Sequence, residues 1–335
     1  MLSTMLLKDL IRKGIETVSV CYSEREAKEI VSAYMEDVFC IKRYQSSLTP
    51  DMEMSEGQAC QAGRDFARIA AGEPLQYVTG KAFFYSREFR VTPDVLIPRQ
   101  ETELLCRSSV SHLTSKRGAL PADRHLPDGN APSLQSYSHS SVLDLCTGSG
   151  CIAWTLALEL PGAQVTAVDI SEGALEVASS QDFTEEMATT GAFRPTFIKA
   201  DVLENPAVCC ALFSGAGSGD CKMLDAETST PRQKFDIIVS NPPYVKDSEK
   251  ALMRTNVLDH EPHLALFVPD DDPLKFYRAV AKWAQELLAE DGVAMVEINE
   301  ALGKETARVF IDAGFSQVEI VKDLHEKDRF VRFTR

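Results

Sequence analysis

The sequence lacks any apolar run long enough to cross a membrane as a helix. Its first residues also lack the apolar block of a secretory signal, because Lys8, Asp9 and Arg12 interrupt them. We therefore expect a cytoplasmic protein without a membrane partner. The 335 residues, of which 44% are hydrophobic and 25% charged, have ordinary globular composition and length for roughly two domains.

Basic residues are scarce: 35 Lys and Arg stand against 50 Asp and Glu, for a net charge of −15. Proteins that hold duplex nucleic acid usually neutralise its phosphates with basic side chains. The acidic balance leaves room for a local basic patch, but it favours a protein or a small molecule as the substrate. We expect no direct binding to nucleic acid.

The nine cysteines include no C-x-x-C pair and no matching Cys/His quartet. This pattern argues against a structural zinc site, and we expect no metal. His260 and His263 flank a Glu-Pro pair and have the pattern of loop residues rather than ligands. Reduced cysteines in a cytosolic enzyme are the simplest interpretation.

Residues 1–80 are predicted to form a small helical domain, because apolar residues recur there at helical spacing. Ser23 followed by Glu26 predicts a capping box, and Gly72 ends a further predicted helix over 55–71. This domain contains no nucleophile, ligand cluster or glycine loop, so its expected role is recognition or support. Residues 81–95 are predicted to be a linker containing a β-hairpin.

Residues 96–335 are predicted to form an α/β domain whose parallel sheet is covered by helices on both faces. Segments 113–140 and 205–233 are rich in turn-forming residues and are predicted to be inserted loops. Strands are predicted at 142–145, 165–168, 196–199, 235–240, 293–298, 318–322 and 330–333, and helices at 151–158, 173–180, 276–288 and 302–313.

A glycine turn follows the first of these strands, with Gly148 and Gly150 just before a helix. Glycines let the backbone approach a ligand closely, and ligands of open α/β sheets lie beyond the carboxyl ends of the strands. Asp169 ends the next strand, 19 residues after Gly150, where a carboxylate can accept both hydroxyls of a ribose. The turn therefore predicts a nucleotide-like ligand.

Two ligands are compatible with this turn. A dinucleotide fingerprint requires G-x-G-x-x-G, and position 153 is Ala153 instead of the third glycine. S-adenosylmethionine also requires a glycine turn beside its methionine portion and an acid on its ribose. Because alanine can occupy the third position, the turn alone leaves both open.

A second motif, Asn241-Pro242-Pro243-Tyr244, ends a predicted buried strand. Two prolines fix φ and remove two backbone donors, which leaves a rigid turn with free carbonyls. The Asn241 side-chain carbonyl and the Pro242 backbone carbonyl can then both face one NH₂ group, with Tyr244 as a flat surface. This turn is suited to holding the nitrogen of a planar amide or a base.

Together, the Asn-Pro-Pro-Tyr turn, the glycine turn and Asp169 resemble the amino-group methyltransferases that use S-adenosylmethionine. These divide into adenine-N6 enzymes acting on nucleic acid and glutamine-N5 enzymes acting on protein. The sequences Glu-Pro-Leu-Gln-Tyr at 73–77, Leu-Ile-Pro-Arg at 96–99 and Glu-Thr-Glu at 101–103 are similar to the HemK/PrmC family of release factor glutamine methyltransferases. The resemblance covers nearly the whole chain.

The resemblance implies a Rossmann-like methyltransferase fold: a mostly parallel seven-stranded sheet, joined by a β-hairpin to the helical domain. It implies transfer of a methyl group from S-adenosyl-L-methionine to N5 of the glutamine in the Gly-Gly-Gln motif of a peptide chain release factor. The release factor is the expected partner and a monomer the expected state. The alternative is an adenine-N6 methyltransferase acting on DNA or RNA.

The resemblance also assigns roles to residues. Asn241, Pro242 and Tyr244 are expected in catalysis, and with them Pro243, Arg99 and Phe84 in substrate binding. For Arg99 the alternative is a surface arginine paired with Glu101 or Glu103. Glu297 either supports the cofactor end of the sheet or is a satisfied buried acid. Cys146 and Gln100 stand where the family usually has glycine and proline. The residues expected to bind the cofactor are Cys146, Thr147, Gly148, Ser149, Gly150, Asp169, Ile170, Asp201, Val202 and Asn241.

Overall fold

The computed structural model describes residues 5–116, 137, 140–206 and 234–335. The predicted insertions at 113–140 and 205–233 therefore lie mostly outside the described residues. The chain forms two compact units. The first contains the described part of Met1–Ala82 with Arg90–Pro93 and Leu252–Glu261, and the second contains Phe83–Phe89, Asp94–Ala251 and Pro262–Arg335 within the described ranges. Residues 252–261 thus group with the first unit, which the sequence did not predict.

The described residues form α-helices, β-strands and short 3₁₀ helices. The α-helices are α1 (Leu7–Val18), α2 (Glu24–Phe39), α3 (Arg43–Leu48), α4 (Glu56–Ala70), α5 (Leu75–Thr79), α6 (Glu103–Lys116), α7 (Cys151–Glu159), α8 (Glu172–Ser179), α9 (Thr184–Thr190), α10 (Thr255–Leu258), α11 (His263–Leu266), α12 (Lys275–Leu287) and α13 (Gly303–Asp312). Short 3₁₀ helices lie at Gln100–Thr102, Asp247–Leu252 and Glu300–Leu302.

The strands are β1 (Met5–Leu6), β2 (Glu53–Met54), β3 (Lys81–Phe84), β4 (Arg87–Arg90), β5 (Ser141–Leu145), β6 (Gln164–Asp169), β7 (Thr196–Lys199), β8 (Phe235–Ser240), β9 (Val245–Lys246), β10 (Phe267–Val268), β11 (Leu288–Glu297), β12 (Ser316–Lys322) and β13 (Asp328–Thr334). Strands β3 and β4 form the predicted hairpin. Among the described residues, no helix combines the length and the apolar character that spanning a membrane requires.

The first unit is organised by α1, α2 and α4, whose apolar faces share one hydrophobic cluster that includes Leu7, Val31 and Phe66. The predicted capping box begins α2: the Glu26 N–H donates to Ser23 Oγ, and the Ser23 N–H donates to the Glu26 carboxylate. Reciprocal bonds of this kind satisfy backbone donors that the first helical turn leaves unpaired. The helices α3 and α5 were not predicted, because both are too short to show a helical period.

The second unit is built on a seven-stranded sheet in the order β12-β13-β11-β8-β5-β6-β7. Strand β13 runs antiparallel to both of its neighbours, and the other neighbouring pairs are parallel. From β5 the chain proceeds outward to β6 and β7, and then returns to place β8 on the opposite side of β5. The loops after β5 and β8 diverge at this switch point, where ligands of open α/β sheets bind.

Successive residues of the central strands enter different hydrophobic clusters. Leu143 packs in a cluster with α12 and α13, whereas Val142 packs in a cluster with α6 and α7. Ile238 and Ile237 of β8 divide in the same way. Because side chains alternate across a strand, this division places helices on both faces of the sheet and confirms the predicted fold class.

Candidate active site

A cavity of about 320 Å³ lies in the second unit at the carboxyl ends of β5, β6 and β8. Its volume is in the range typical of small-molecule sites. Most of the residues predicted to bind the cofactor or the substrate line it. These are Arg99, Cys146, Thr147, Gly148, Ser149, Asp169, Ile170, Asp201, Val202, Asn241 and Pro243.

The two glycines of the turn after β5 have different surroundings. Both adopt left-handed backbone angles, with φ of 55° at Gly148 and 78° at Gly150. A Cβ added at Gly148 would meet no described atom within 4 Å, whereas one at Gly150 would lie 2.9 Å from the Cβ of Ala178. Gly148 therefore leaves room at the cavity, and Gly150 permits close packing of α7 on α8. Gly150 does not line the cavity.

Asp169 is bonded directly to this turn. Its Oδ2 accepts the Gly148 N–H at 2.8 Å, and its Oδ1 accepts the Ser171 N–H at 2.9 Å. Burial raises the pKa of this carboxyl, although these backbone donors oppose the shift. Because a carboxylate oxygen has more than one acceptor position, Asp169 can still accept hydroxyl groups of a ligand while it holds the turn.

A buried aspartate below the turn was not among the predicted site residues. Asp144, in β5, accepts a hydrogen bond from Thr147 Oγ1 at 2.6 Å and is fully buried. Burial raises its pKa to about 7. Its contact with Thr147 fixes that residue of the turn, and Asp144 does not itself line the cavity.

Cys146 begins the turn in a strained conformation, with φ of 62°. A non-glycine residue rarely adopts this region, because its Cβ approaches the following carbonyl oxygen. The half-buried side chain lines the cavity, and burial together with the negative charge of Asp169 raises the pKa of its thiol. At neutral pH, Cys146 is therefore an uncharged thiol that occupies part of the cavity wall.

The wall beyond β6 and β7 is mainly apolar. Ile170, Val202 and Leu203 line it, and the Trp283 indole N–H fixes the Val202 carbonyl at 3.0 Å. Asp201 adds a carboxylate whose Oδ1 accepts the Leu203 N–H at 2.8 Å. An apolar wall with one carboxylate at its edge is suited to a planar heterocycle that carries an amino group.

The Asn-Pro-Pro-Tyr turn follows β8, and only part of it reaches the cavity. Asn241 and Pro243 line the cavity, but Pro242 and Tyr244 do not. The Tyr244 hydroxyl donates to Glu297 Oε1 at 2.9 Å. Its backbone carbonyl accepts from Asn299 Nδ2 at 3.2 Å. Tyr244 therefore anchors the turn to the end of β11.

The sequence left the role of Glu297 open. Its side chain is 2% exposed, and both of its carboxylate oxygens accept hydrogen bonds. Its Oε2 accepts the Thr102 hydroxyl at 2.6 Å, while Oε1 accepts Tyr244. Burial raises its pKa, and the two donors oppose the shift. Thr102 in turn accepts a hydrogen bond from Asn241 Nδ2 at 3.3 Å. Thr102 lines the cavity and was missed, although it lies within the Glu-Thr-Glu motif at 101–103.

The structure corrects the expectation for Phe84. Its side chain is 1% exposed, and its ring lies 6.1 Å from that of Phe89 in the cluster on one face of the sheet. Phe84 is therefore a core residue and does not line the cavity. Within the described ranges, no three His, Cys, Asp or Glu side chains are grouped as metal ligands would be.

Comparisons with known proteins agree with this geometry. Residues 136–304 match the methyltransferase domain family, and residues 9–80 match the PrmC N-terminal domain family. The release factor glutamine methyltransferase of Flavobacterium psychrophilum is 31% identical over 98% of this chain and 99% of its own length. That of Bacteroides thetaiotaomicron is 35% identical over 97% of this chain and 98% of its own.

Proposed function

The chain belongs to the family of release factor glutamine methyltransferases, and we propose that it methylates a peptide chain release factor on glutamine. The acceptor is the side-chain amide nitrogen, N5, of the glutamine in the Gly-Gly-Gln motif. The methyl donor is S-adenosyl-L-methionine. The observation that supports this most directly is the Asn241 amide, which lines the cavity beside the glycine turn with its Nδ2 already bonded to Thr102.

The cavity suits S-adenosylmethionine. Open space beside Gly148 accommodates the methionine portion, and Asp169 can accept the two ribose hydroxyls. The apolar residues Ile170 and Val202, with Asp201, can hold the adenine. We propose Cys146, Thr147 and Ser149 as the remaining cofactor contacts, and Gly150 as a residue that shapes the turn. When bound, the cofactor supplies an electrophilic methyl group on a sulfonium.

The residues of the chain must overcome the weak nucleophilicity of an amide, whose nitrogen lone pair is delocalised into the carbonyl. Holding that nitrogen at attack distance can contribute about 7–11 kcal/mol. We propose that Asn241 Oδ1 accepts one N–H of the substrate amide at the cavity, and that the backbone carbonyl of Pro242, a residue next to the cavity lining in sequence, accepts the other. As positive character develops on the nitrogen, these acceptors stabilise it by a few kcal/mol, an effect of roughly the size of an oxyanion hole.

Catalysis in this scheme requires no dedicated base. The amide proton becomes acidic only after the methyl group is added, and it can then leave to water. Pro243 and Arg99, which also line the cavity, are proposed to shape the substrate entrance. Tyr244 contributes by anchoring the turn through Glu297. We further propose a monomer that acts in the cytoplasm, where release factors work.

The test combines the protein, labelled S-adenosylmethionine and a full-length release factor, and then maps the label by peptide mass. We expect label on the glutamine of Gly-Gly-Gln, and none when that glutamine is replaced. Asn241→Ala should abolish transfer while cofactor binding, measured by calorimetry, persists. Transfer that survives in Asn241→Ala would refute the proposed role of this turn.

The same assay distinguishes the proposed glutamine-N5 activity from the adenine-N6 alternative. An exocyclic adenine amine could also be held by two carbonyls, so DNA and RNA should be included as substrates. The net charge of −15 disfavours that alternative, because phosphate contacts depend on basic residues. Label in nucleic acid, with salt-sensitive binding and none in the release factor, would establish it instead.

A further inference from the structure

The hydrogen bonds behind Asn241 determine which end of its amide faces the substrate. We propose that Glu297 and Thr102 are positioning residues that hold Asn241 with Oδ1 toward the cavity. This inference rests on the proposed function, because it assumes that Asn241 accepts a hydrogen bond from the substrate amide. It adds two residues, one from the 3₁₀ helix that precedes α6 and one from the end of β11, to the machinery of the site.

Glu297 determines which group donates and which accepts in each of these hydrogen bonds. Its side chain is buried, with 2% exposure. An ionised carboxylate only accepts hydrogen bonds. Its two oxygens accept from two hydroxyls, Thr102 Oγ1 at 2.6 Å and the Tyr244 hydroxyl at 2.9 Å. A threonine hydroxyl has a single hydrogen, and Thr102 donates that hydrogen to Glu297.

The oxygen of Thr102 can therefore only accept from its other neighbour. That neighbour is the Asn241 side chain, at 3.3 Å. An acceptor beside an amide selects the NH₂ end, because the carbonyl end would place two lone pairs against each other. Nδ2 of Asn241 is thus fixed on Thr102, and Oδ1 is left for the cavity that both residues line.

This orientation has a chemical consequence for the substrate. An exposed Oδ1 accepts from an NH₂ group and so favours glutamine. An exposed Nδ2 would instead donate, and would favour the carbonyl of a turned amide or the carboxylate of glutamate. We therefore expect Thr102 and Glu297 to contribute to the choice of glutamine over glutamate, as well as to the rate.

The experiment compares Thr102→Val, which keeps the shape and removes the hydroxyl, with Thr102→Ser, which restores the hydroxyl. Each full-length variant is assayed for kcat and KM with a release factor. It is also assayed for inhibition by the same release factor carrying glutamate in place of the target glutamine. We expect Thr102→Val to lower kcat by about tenfold or more, as expected for a lost buried hydrogen bond of about 1.4 kcal/mol.

In the same variant, KM should change little, because most contacts of a protein substrate lie outside this amide. Inhibition by the glutamate-carrying release factor should strengthen relative to the parent enzyme, and Thr102→Ser should restore both properties. Thr155→Val is the matched control: Thr155 is fully buried in α7, its hydroxyl has no hydrogen-bond partner among the described residues, and it does not line the cavity.

A second variant covers the case in which Thr102→Val does not fold. In Glu297→Met, no acceptor remains for the Thr102 hydrogen, so Thr102 can donate to Asn241 Oδ1 and the amide is no longer held with Nδ2 on Thr102. The expected result is again a lower kcat and a relative gain in binding of the glutamate form. Since the side chains are nearly the same size, this result would not follow from altered packing.

Several outcomes would overturn the inference. One is parental kcat in folded Thr102→Val or in Glu297→Met. Another is a loss in Thr102→Ser equal to that in Thr102→Val, which would indicate a packing role. Asn241→Ala distinguishes a failure of this inference from a failure of the proposed function. If it is inactive while Thr102→Val is fully active, only this inference fails; if it is active, the proposed function of the turn fails.

Discussion

The two glycines of the turn after β5 should respond differently to the same substitution. Both have positive φ, so alanine at either position adopts a strained backbone angle. Around Gly148 the space for a Cβ is open, whereas at Gly150 the Cβ would lie 2.9 Å from Ala178 and 3.1 Å from Trp154 Cδ1. Gly148→Ala should therefore mainly affect ligand binding, and Gly150→Ala should mainly affect folding.

The magnitudes follow from these contacts. A left-handed angle costs a non-glycine residue about 1–2 kcal/mol, and the reduced freedom of the unfolded chain returns about 0.4–1 kcal/mol. The net cost of Gly148→Ala is then about 1 kcal/mol of folding free energy. Gly150→Ala adds overpacking of about 1–3 kcal/mol, for a total of roughly 2–4 kcal/mol.

Two measurements test the difference. Urea unfolding of the full chain gives the change in free energy, and calorimetric titration with S-adenosylmethionine gives the change in affinity. Gly148→Ala should weaken cofactor binding by about tenfold or more, equivalent to about 1.4 kcal/mol, because the new methyl group occupies space at the cavity. Gly150→Ala should change the affinity of the folded fraction less than Gly148→Ala does.

A double variant provides the control. Ala178→Gly removes the atom that lies closest to the new Cβ, so it should recover about 1 kcal/mol in the Gly150→Ala background, beyond its own effect. Equal unfolding costs for Gly148→Ala and Gly150→Ala, or no coupling between positions 150 and 178, would show that contact distances do not govern this turn.

Two further results are expected from buried and capping groups. Because burial raises the pKa of Asp144 from 3.8 to about 7, the folded state binds its proton more tightly than the unfolded chain, and stability falls as pH rises across that range. Asp144→Asn should flatten this decline in urea unfolding at pH 5 and pH 8, and a decline of the same slope would contradict the assignment. Ser23→Ala removes the oxygen that accepts the Glu26 N–H and should destabilise the first unit by about 1 kcal/mol in thermal unfolding, without changing cofactor affinity.

Most of the second unit's fold could be predicted from local patterns, because each central strand is a short apolar run separated from the next by a helical period. Apolar runs of this kind do not reveal the direction of β13. The length of the preceding link does indicate that direction, because only residues 323–327 separate β12 from β13. A link this short cannot make the crossover that parallel neighbours need, so it requires an antiparallel pair.

The error at Phe84 has a specific physical origin. In the hairpin, Phe83 and Phe84 are adjacent aromatic residues, and successive side chains of a strand point to opposite faces. The structure buries Phe84 and leaves Phe83 61% exposed. The alternation shows that one of the two is buried, but the identity of the buried face depends on the helices and strands that pack on it.

The omission of Thr102 has a different cause. Its partner Glu297 is 195 residues away in the sequence, and the two meet only because the end of β11 lies beside the 3₁₀ helix Gln100–Thr102. Motifs such as Asn-Pro-Pro-Tyr can be recognised because their residues are adjacent. A hydrogen-bonded pair formed between segments so distant in the sequence has no such local pattern, and a threonine near a helix start is most simply interpreted as a cap.

The backbone geometry of the turn explains what it means that Cys146 stands where the family usually has glycine. Positions 146, 148 and 150 all have positive φ, so the turn requires a left-handed residue at every second position. Glycine meets this requirement at two of them. At the first, Cys146 accepts the strain, and its side chain packs against the hydrophobic cluster on one face of the sheet while it also lines the cavity. The backbone strain of about 1–2 kcal/mol is therefore offset by the burial of the Cys146 side chain, which glycine could not provide. Because its thiol stays uncharged, Cys146 keeps this wall apolar beside the carboxylate of Asp169.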